Sequence, residues 1–215
     1  MPGTKAASKT AKASSSAGRV IAGTARGRQL VSPGEGTRPL GDRVKQTLFA
    51  ILEPTIRDRP FLDLFAGSGA GGIEALSRGA SAALFVERDG GAVDAIRRNL
   101  AETGLTASAR IERAEAVAWL RTRAAETNVS GPFAAILIDP PYDRPKLLLA
   151  ALQQIAGAGP GVVLDSAGVV VAKHFWRTAP PAEIGLLRSA RERRFGETGL
   201  TFLRWADAEE GEADR

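Results

Sequence analysis

Asp139-Pro140-Pro141-Tyr142 follows directly on Phe133-Ala134-Ala135-Ile136-Leu137-Ile138, an apolar run of the kind a strand buried on both faces needs. Two successive prolines fix two φ angles and remove two backbone donors, so the turn leaving that strand is rigid and cannot run straight into a helix. A carboxylate (Asp139), a carbonyl (Pro140) and an aromatic face (Tyr142) would then stand together at the carboxyl edge of a sheet. Such a set can grip a planar base bearing an exocyclic amine: the oxygens accept its N–H hydrogens and the phenol ring stacks on it. The plainer alternative is a Pro-Pro turn with no chemistry.

A second group of residues reads as a cofactor loop. Asp63-Leu64-Phe65-Ala66-Gly67-Ser68-Gly69-Ala70-Gly71-Gly72 leaves one apolar run, and Ile73-Glu74-Ala75-Leu76 continues it in a helical pattern. Strand, glycine loop and helix form the layout in which bare backbone lets a nucleotide come close, and Gly67, Gly69 and Gly72 fit G-x-G-x-x-G. Glu87 lies twenty residues after Gly67 at the end of the next apolar run, where a carboxylate can accept both hydroxyls of a ribose. Asp63 sits on the strand itself; a carboxylate there suits a cation and repels a pyrophosphate. That favours S-adenosylmethionine, which carries a sulfonium and an ammonium, over NAD. Glu115, beyond the third apolar run, is placed to receive an adenine amino group, or else is simply an acid in the first turn of a helix.

These residues need a sheet edge to stand on. Strands are expected at 61–65, 82–87, 109–112, 133–138 and 168–173, with helices near 70–78, 90–103, 115–125 and 145–156. That rhythm predicts an α/β fold with a mostly parallel sheet covered on both faces. Leu186 to Phe195 and Leu200 to Trp205, joined by Gly196-Glu197-Thr198-Gly199, read as a closing antiparallel hairpin. Ahead of this domain (56–206) the spacing predicts a small arm (18–55): a hairpin around Gly23 to Gly27, then a helix with Asp42 as N-cap and Val44, Leu48, Ile51 and Leu52 on one face. Residues 1–17 read as a disordered basic tail and 207–215 as an acidic one.

Composition narrows the chemistry. With no Cys and one His in 215 residues, thiol nucleophiles, zinc sites and Ser-His-Asp triads are nearly excluded, and no metal is expected. No apolar run reaches the length of a membrane span and no secretory leader is evident, so a cytoplasmic protein without a membrane partner is expected. Charge is uneven. Residues 1–45 carry nine Lys or Arg against Glu35 and Asp42, and among them Arg19, Arg26, Arg28, Arg38, Arg43 and Lys45 are the candidates for nucleic-acid phosphates. Arg188, Arg191, Arg193 and Arg194 form a second basic run, of which about half can share one face of a strand. His174 reads as structural or surface, and Trp119, Trp176 and Trp205 as packing residues.

Taken in order, these pieces resemble one family. Arg19-Val20-Ile21, Arg26-Gly27-Arg28, Thr37-Arg38-Pro39, Asp42-Arg43-Val44-Lys45, Asp63 to Gly69, Gly72 to Ala80, Glu87, Asp139 to Tyr142 and Phe195-Gly196-Glu197-Thr198 are similar to the bacterial 16S rRNA guanine-N2 methyltransferases, the small-subunit methyltransferase D type. The resemblance covers about residues 19–205. It implies a Rossmann-like class I methyltransferase with a seven-stranded sheet, binding S-adenosylmethionine at Asp63, Phe65, Gly67, Gly69, Glu87 and Glu115. It implies Asp139, Pro140 and Tyr142 as the catalytic clamp, and a monomer acting on 16S rRNA within the small subunit or its assembly intermediate. Tyr142 stands where Phe is also frequent, which preserves stacking, and the 1–17 extension has no family counterpart. Three other readings remain open: an adenine-N6 methyltransferase on DNA or another RNA, an NAD-binding oxidoreductase, and a non-catalytic RNA-binding module.

Overall fold

The strands of a parallel sheet must be apolar on both faces, and six consecutive buried residues, Phe133–Ile138, form the strand at the centre. In the computed structural model, which describes residues 16–34, 40–125 and 132–206, the strands are β1 (Ser16–Arg19), β2 (Gln29–Val31), β3 (Pro60–Leu64), β4 (Ala82–Glu87), β5 (Ala109–Arg113), β6 (Phe133–Ile138), β7 (Leu164–Phe175), β8 (Glu183–Ile184), β9 (Leu187–Phe195) and β10 (Thr198–Trp205). The α-helices are α1 (Asp42–Ile56), α2 (Ala70–Ser77), α3 (Gly90–Thr103), α4 (Ala116–Ala125) and α5 (Pro145–Ala158). The main sheet has the order β5-β4-β3-β6-β7-β10-β9-β8; the first five strands run parallel and the last three antiparallel. Strand order reverses between β3 and β6, the place where an open α/β sheet forms its ligand crevice.

Alternation along the strands divides the core. Phe61, Leu137, Val169 and Val171 pack with α1, α2 and α3, whereas Leu62, Ile136, Ile138 and Val170 pack with α4 and α5. Asp89 caps α3 by accepting the Ala92 N–H at 2.8 Å, and Pro145 opens α5, where its missing N–H costs nothing.

The arm shares this core. Ala17, Val20, Ala25 and Leu30 pack beside Leu48 and Phe49 of α1, and β1 pairs with β2. Buried polar groups fasten it. Glu74 of α2 accepts the N–H groups of Ile21 (2.7 Å) and Ala22 (3.1 Å), Ser77 accepts from Ala25 (3.0 Å), and Asn99 of α3 accepts from Val31 (2.8 Å).

Four expectations are corrected. The sheet has eight strands rather than seven, because Glu183–Ile184 adds a two-residue edge strand. β7 starts at Leu164 instead of 168; a register irregularity against β6 absorbs the polar Asp165-Ser166-Ala167-Gly168 stretch that reads as a loop. Asp42 is the first residue of α1 and Gly41 its N-cap, since the Asp42 carboxylate is drawn to Arg19 Nε at 3.0 Å. Ser16 and Ala17, assigned to the disordered tail, belong to β1, where Ala17 is buried. Arg38, with Thr37 and Pro39, lies outside the described residues, as do the remainder of the basic tail and the 207–215 segment.

Candidate active site

Period-two alternation and register decide which side chains meet at the carboxyl edge. Asp63 pairs across the sheet with Phe85 and Leu137, and Leu137 pairs with Val171. Two residues further along each strand, on the same face, come Glu87, Asp139 and Lys173. The apolar row is therefore topped by a row of charge on the side covered by the arm. A cavity of about 760 Å³ opens there, lined by Asp63, Phe65, Gly67, Glu87, Glu115, Asp139, Pro140, Tyr142 and Lys173. Ala17 and Leu40 of the arm contribute to its wall. The sequence-derived clamp and cofactor loop thus share one cavity.

Phe65 turns the chain out of β3 with φ +61°, a left-handed conformation that is strained for a bulky residue and that collects at functional sites. Gly67 donates its N–H to Glu87 Oε2 at 2.9 Å, and Asp89 donates to Glu87 Oε1 at 2.8 Å. Glu87 is thereby held facing the loop. Glu115 lines the wall and also caps α4, accepting from Val117 (3.2 Å) and Ala118 (2.8 Å). Gly69 does not line the cavity: it is the N-cap of α2 at φ +76°, packed against Ile96 and Phe85. Its role is to turn the loop, and Gly72, where a Cβ would come within 2.3 Å of Phe85, lets the helix close on β4.

Asp63 is buried beneath the loop and accepts the Gly72 N–H at 2.7 Å. Burial pushes its carboxyl up to about 8, against the pull of that hydrogen bond, and the neighbouring Asp139 and Glu87 carboxylates add to the rise. Acids outnumber bases on the cavity wall: Asp63, Glu87, Asp89, Glu115, Asp139 and Asp143 face Arg88, Arg144 and Lys173.

In the clamp, Lys173 Nζ donates to Asp139 Oδ1 at 2.6 Å and lies 4.7 Å from the centre of the Tyr142 ring. Burial by itself would lower the Lys173 ammonium; the Asp139 carboxylate outweighs it and the pKa rises. Burial raises Asp139 and Lys173 opposes that rise. Tyr142 Oη is 3.1 Å from Thr198 Oγ1, which ties the clamp to the start of β10. The Pro141 carbonyl accepts the Arg144 N–H at 2.9 Å, closing the turn ahead of α5.

Sequence reasoning missed Lys173. The available signal was a lysine ending the run Val169-Val170-Val171-Ala172 in a position whose alternation points inward. It also misassigned Lys45. That side chain is fully buried, its ammonium donates to the Arg19 carbonyl and lies 4.0 Å from Asp42, and burial lowers its pKa. Lys45 is an internal tie between arm and helix and drops out of the phosphate-binding set. Arg26, Arg28 and Arg43 are exposed, and Arg19 is exposed but paired with Asp42.

A parallel sheet with helices on both faces, a glycine loop after its first strand, an acid ending the second and Asp-Pro-Pro-Tyr ending the fourth defines a Rossmann-like class I methyltransferase fold. The family described as Conserved hypothetical protein 95 matches residues 18–204, and the chain belongs to that family. YlbH of Bacillus subtilis strain 168, provisionally named an rRNA methyltransferase, is 37% identical over 189 residues, covering 86% of this chain and 98% of YlbH. Ribosomal RNA small subunit methyltransferase D of Escherichia coli K12 is 41% identical over 127 residues, covering 59% of this chain and 61% of that protein. Among solved structures, yhhF of Escherichia coli, provisionally titled a methyltransferase, superposes with a TM-score of 0.73 at 32% identity, covering 88% of this chain and 98% of yhhF.

Proposed function

We propose that this protein transfers a methyl group from S-adenosylmethionine to the exocyclic N2 amine of a guanine in 16S rRNA of the small ribosomal subunit. The observation that carries this reading is the Asp139-Pro140-Tyr142 clamp opening into the same cavity as the Asp63–Gly67 loop and Glu87. The rRNA methyltransferase names of its relatives support the substrate class.

The cavity residues suit the donor. Acids outnumber bases around the cavity even with Arg88 and Arg144 counted, and Lys173 is committed to Asp139, so a ligand with two positive centres suits it. Asp63 and the Gly67 backbone would hold its charged end, Glu87 its ribose, and Phe65 and Glu115 its adenine side. When bound, S-adenosylmethionine supplies a methyl group that is already activated, so the protein contributes chiefly orientation, worth up to roughly 7–11 kcal/mol in favourable systems.

The lone pair of a guanine N2 is delocalised into the ring, which makes the amine a poor nucleophile. Asp139 and the Pro140 carbonyl accept its two N–H groups and favour a pyramidal nitrogen; Asp139 is also the acceptor for the proton the amine loses. Lys173 favours the ionised form of Asp139 for both tasks, and Tyr142 stacks on the base. A loop nucleotide leaves its stack at low cost, which is how a base reaches such a clamp. Arg26, Arg28 and Arg43 on the arm, with Arg19, meet the surrounding phosphates. One protomer carries the whole set, which supports a monomer as the active unit, working in the cytoplasm where subunits are assembled.

The test is transfer of labelled methyl to small ribosomal subunits lacking their natural methylation, followed by nuclease digestion and mass spectrometry. N2-methylguanosine at one position is expected. Label on adenine N6 would move the acceptor, and no label in rRNA despite cofactor binding would remove rRNA as the substrate.

A further inference from the structure

Trp176 follows β7 at the same sheet edge as the clamp, because β7 runs parallel to β6. Its N–H donates to the Glu197 carbonyl at 3.0 Å, in the two-residue turn between β9 and β10. Thr198, the next residue, pairs with Phe175 and touches Tyr142. Trp176 is thus one residue pair from the acceptor clamp. Two exposed arginines converge on its ring: Arg194 at 3.6 Å and Arg177 at 4.7 Å from the centroid. A cavity of about 310 Å³ adjoins them, lined by Trp176, Arg193, Arg194, Glu192 and Thr201. His174 closes its floor and is held by Thr201 Oγ1 at 2.9 Å.

A guanidinium stacked on an indole spends its face on the ring and keeps its N–H fork at the edge, the arrangement that suits a phosphate oxygen. Arg194 uses Nε on the Gly196 carbonyl at 3.0 Å, which further fixes its plane. Along β9, Arg194 and Glu192 share the face of His174 and Thr201, whereas Arg191 and Arg193 alternate to the other face of the strand. Arg188 is set apart, paired with Glu183 at 3.5 Å. Pre-set guanidiniums on an aromatic platform beside an open cavity match single-stranded nucleic acid more closely than a folding role.

We infer that the tip of the β9–β10 hairpin is a second RNA-docking surface, on which Arg177 and Arg194, stacked on Trp176, hold phosphates of the single strand flanking the target nucleotide. The inference rests on the proposed action on RNA. With the basic arm on the far side of the clamp, the strand is gripped on both sides of the nucleotide that leaves its stack. Trp176, which the sequence alone places among packing residues, becomes the platform of this surface.

The full chain, with S-adenosylhomocysteine bound, is titrated against unmethylated small subunits at several salt concentrations. Arg177→Gln/Arg194→Gln should weaken binding by about tenfold or more and flatten the slope of log affinity against log salt by about 1–2. KM for subunits should rise while kcat stays within about twofold, and affinity for S-adenosylhomocysteine should be unchanged. Arg177→Lys/Arg194→Lys should restore the salt slope but only part of the affinity, because an ammonium does not stack as a fork. Wild-type affinity and slope in the double Gln variant would overturn the surface. Wild-type protein that binds subunits through these arginines yet leaves guanine unmethylated would overturn the guanine reading and leave the surface standing.

Discussion

Asp139 can take the proton the amine loses only as a carboxylate, and burial opposes that state. Lys173 offsets burial through a 2.6 Å ion pair. Without the ammonium the carboxyl rises further, so Lys173→Met is expected to lower kcat/KM at neutral pH by about 10–100-fold and to recover as pH rises through the new pKa. Parallel pH–rate profiles for variant and wild type would remove Lys173 from this role. Asp139→Ala should cut turnover by about 10²–10³-fold or more while calorimetry finds cofactor affinity nearly intact. Asp63 works in the opposite sense. In the cofactor-free fold its carboxyl is raised from 3.8 to about 8, so the folded chain holds this proton more tightly than the unfolded one. Its contribution to stability is present below the ordinary carboxylate range and is lost as pH rises toward 8. A cation favours the ionised form, so S-adenosylmethionine should bind more tightly as pH approaches 8 and release a proton at pH 7. Calorimetry in buffers of different ionisation enthalpy measures that proton; Asp63→Asn should abolish both effects. Asp63, Glu87, Asp139 and Tyr142 were legible because each breaks an apolar pattern where a sheet edge was predictable. Lys173 was not, since its partner lies 34 residues away, and Lys45 was misread because a lysine on a helix has the same letter whether it meets solvent or lies buried.

Elements whose ends are set by local chemistry were readable to the residue. α3 begins at an Asp cap and ends at Gly104 in the left-handed region, and β6 is bounded by Pro132 and Pro140. β7 was not, because its first half is held by pairing across an irregular register, which no local pattern announces. The attachment of the arm was equally hidden. Glu74 looks like an ordinary polar residue in a short helix, yet it is fully buried, accepts two arm N–H groups and pairs with Arg78 at 2.8 Å. Glu74→Ala leaves two arm N–H donors without their acceptor and the nearly buried Arg78 guanidinium with Glu53 alone, a loss of about 3 kcal/mol. For a chain of this size that lowers the melting temperature by about 6–12 °C, read by differential scanning calorimetry. Glu74→Gln retains one acceptor oxygen and should recover part of the loss; a melting temperature unchanged in Glu74→Ala would show that the arm is held by its apolar contacts alone.

Charge is distributed so that the molecule presents two basic edges to either side of an acidic cavity. The net charge of +5 was legible, but not which arginines face solvent, because ion pairs such as Arg19–Asp42 and Arg78–Glu53 consume some of them. Arg26, Arg28 and Arg43 stay exposed on the arm. Phosphate contacts release counterions, so each one lost removes roughly 0.7–0.9 from the salt slope of binding, whatever the RNA sequence. Arg26→Gln/Arg28→Gln/Arg43→Gln should therefore reduce that slope by about 2 and raise KM for small subunits, with kcat nearly kept, since none of the three lines the cavity. If arm and hairpin tip grip separate stretches of the strand, combining these changes with Arg177→Gln/Arg194→Gln should add in log affinity. A combined loss well below the sum would mean that the two edges bind alternative strands rather than one strand stretched across the clamp.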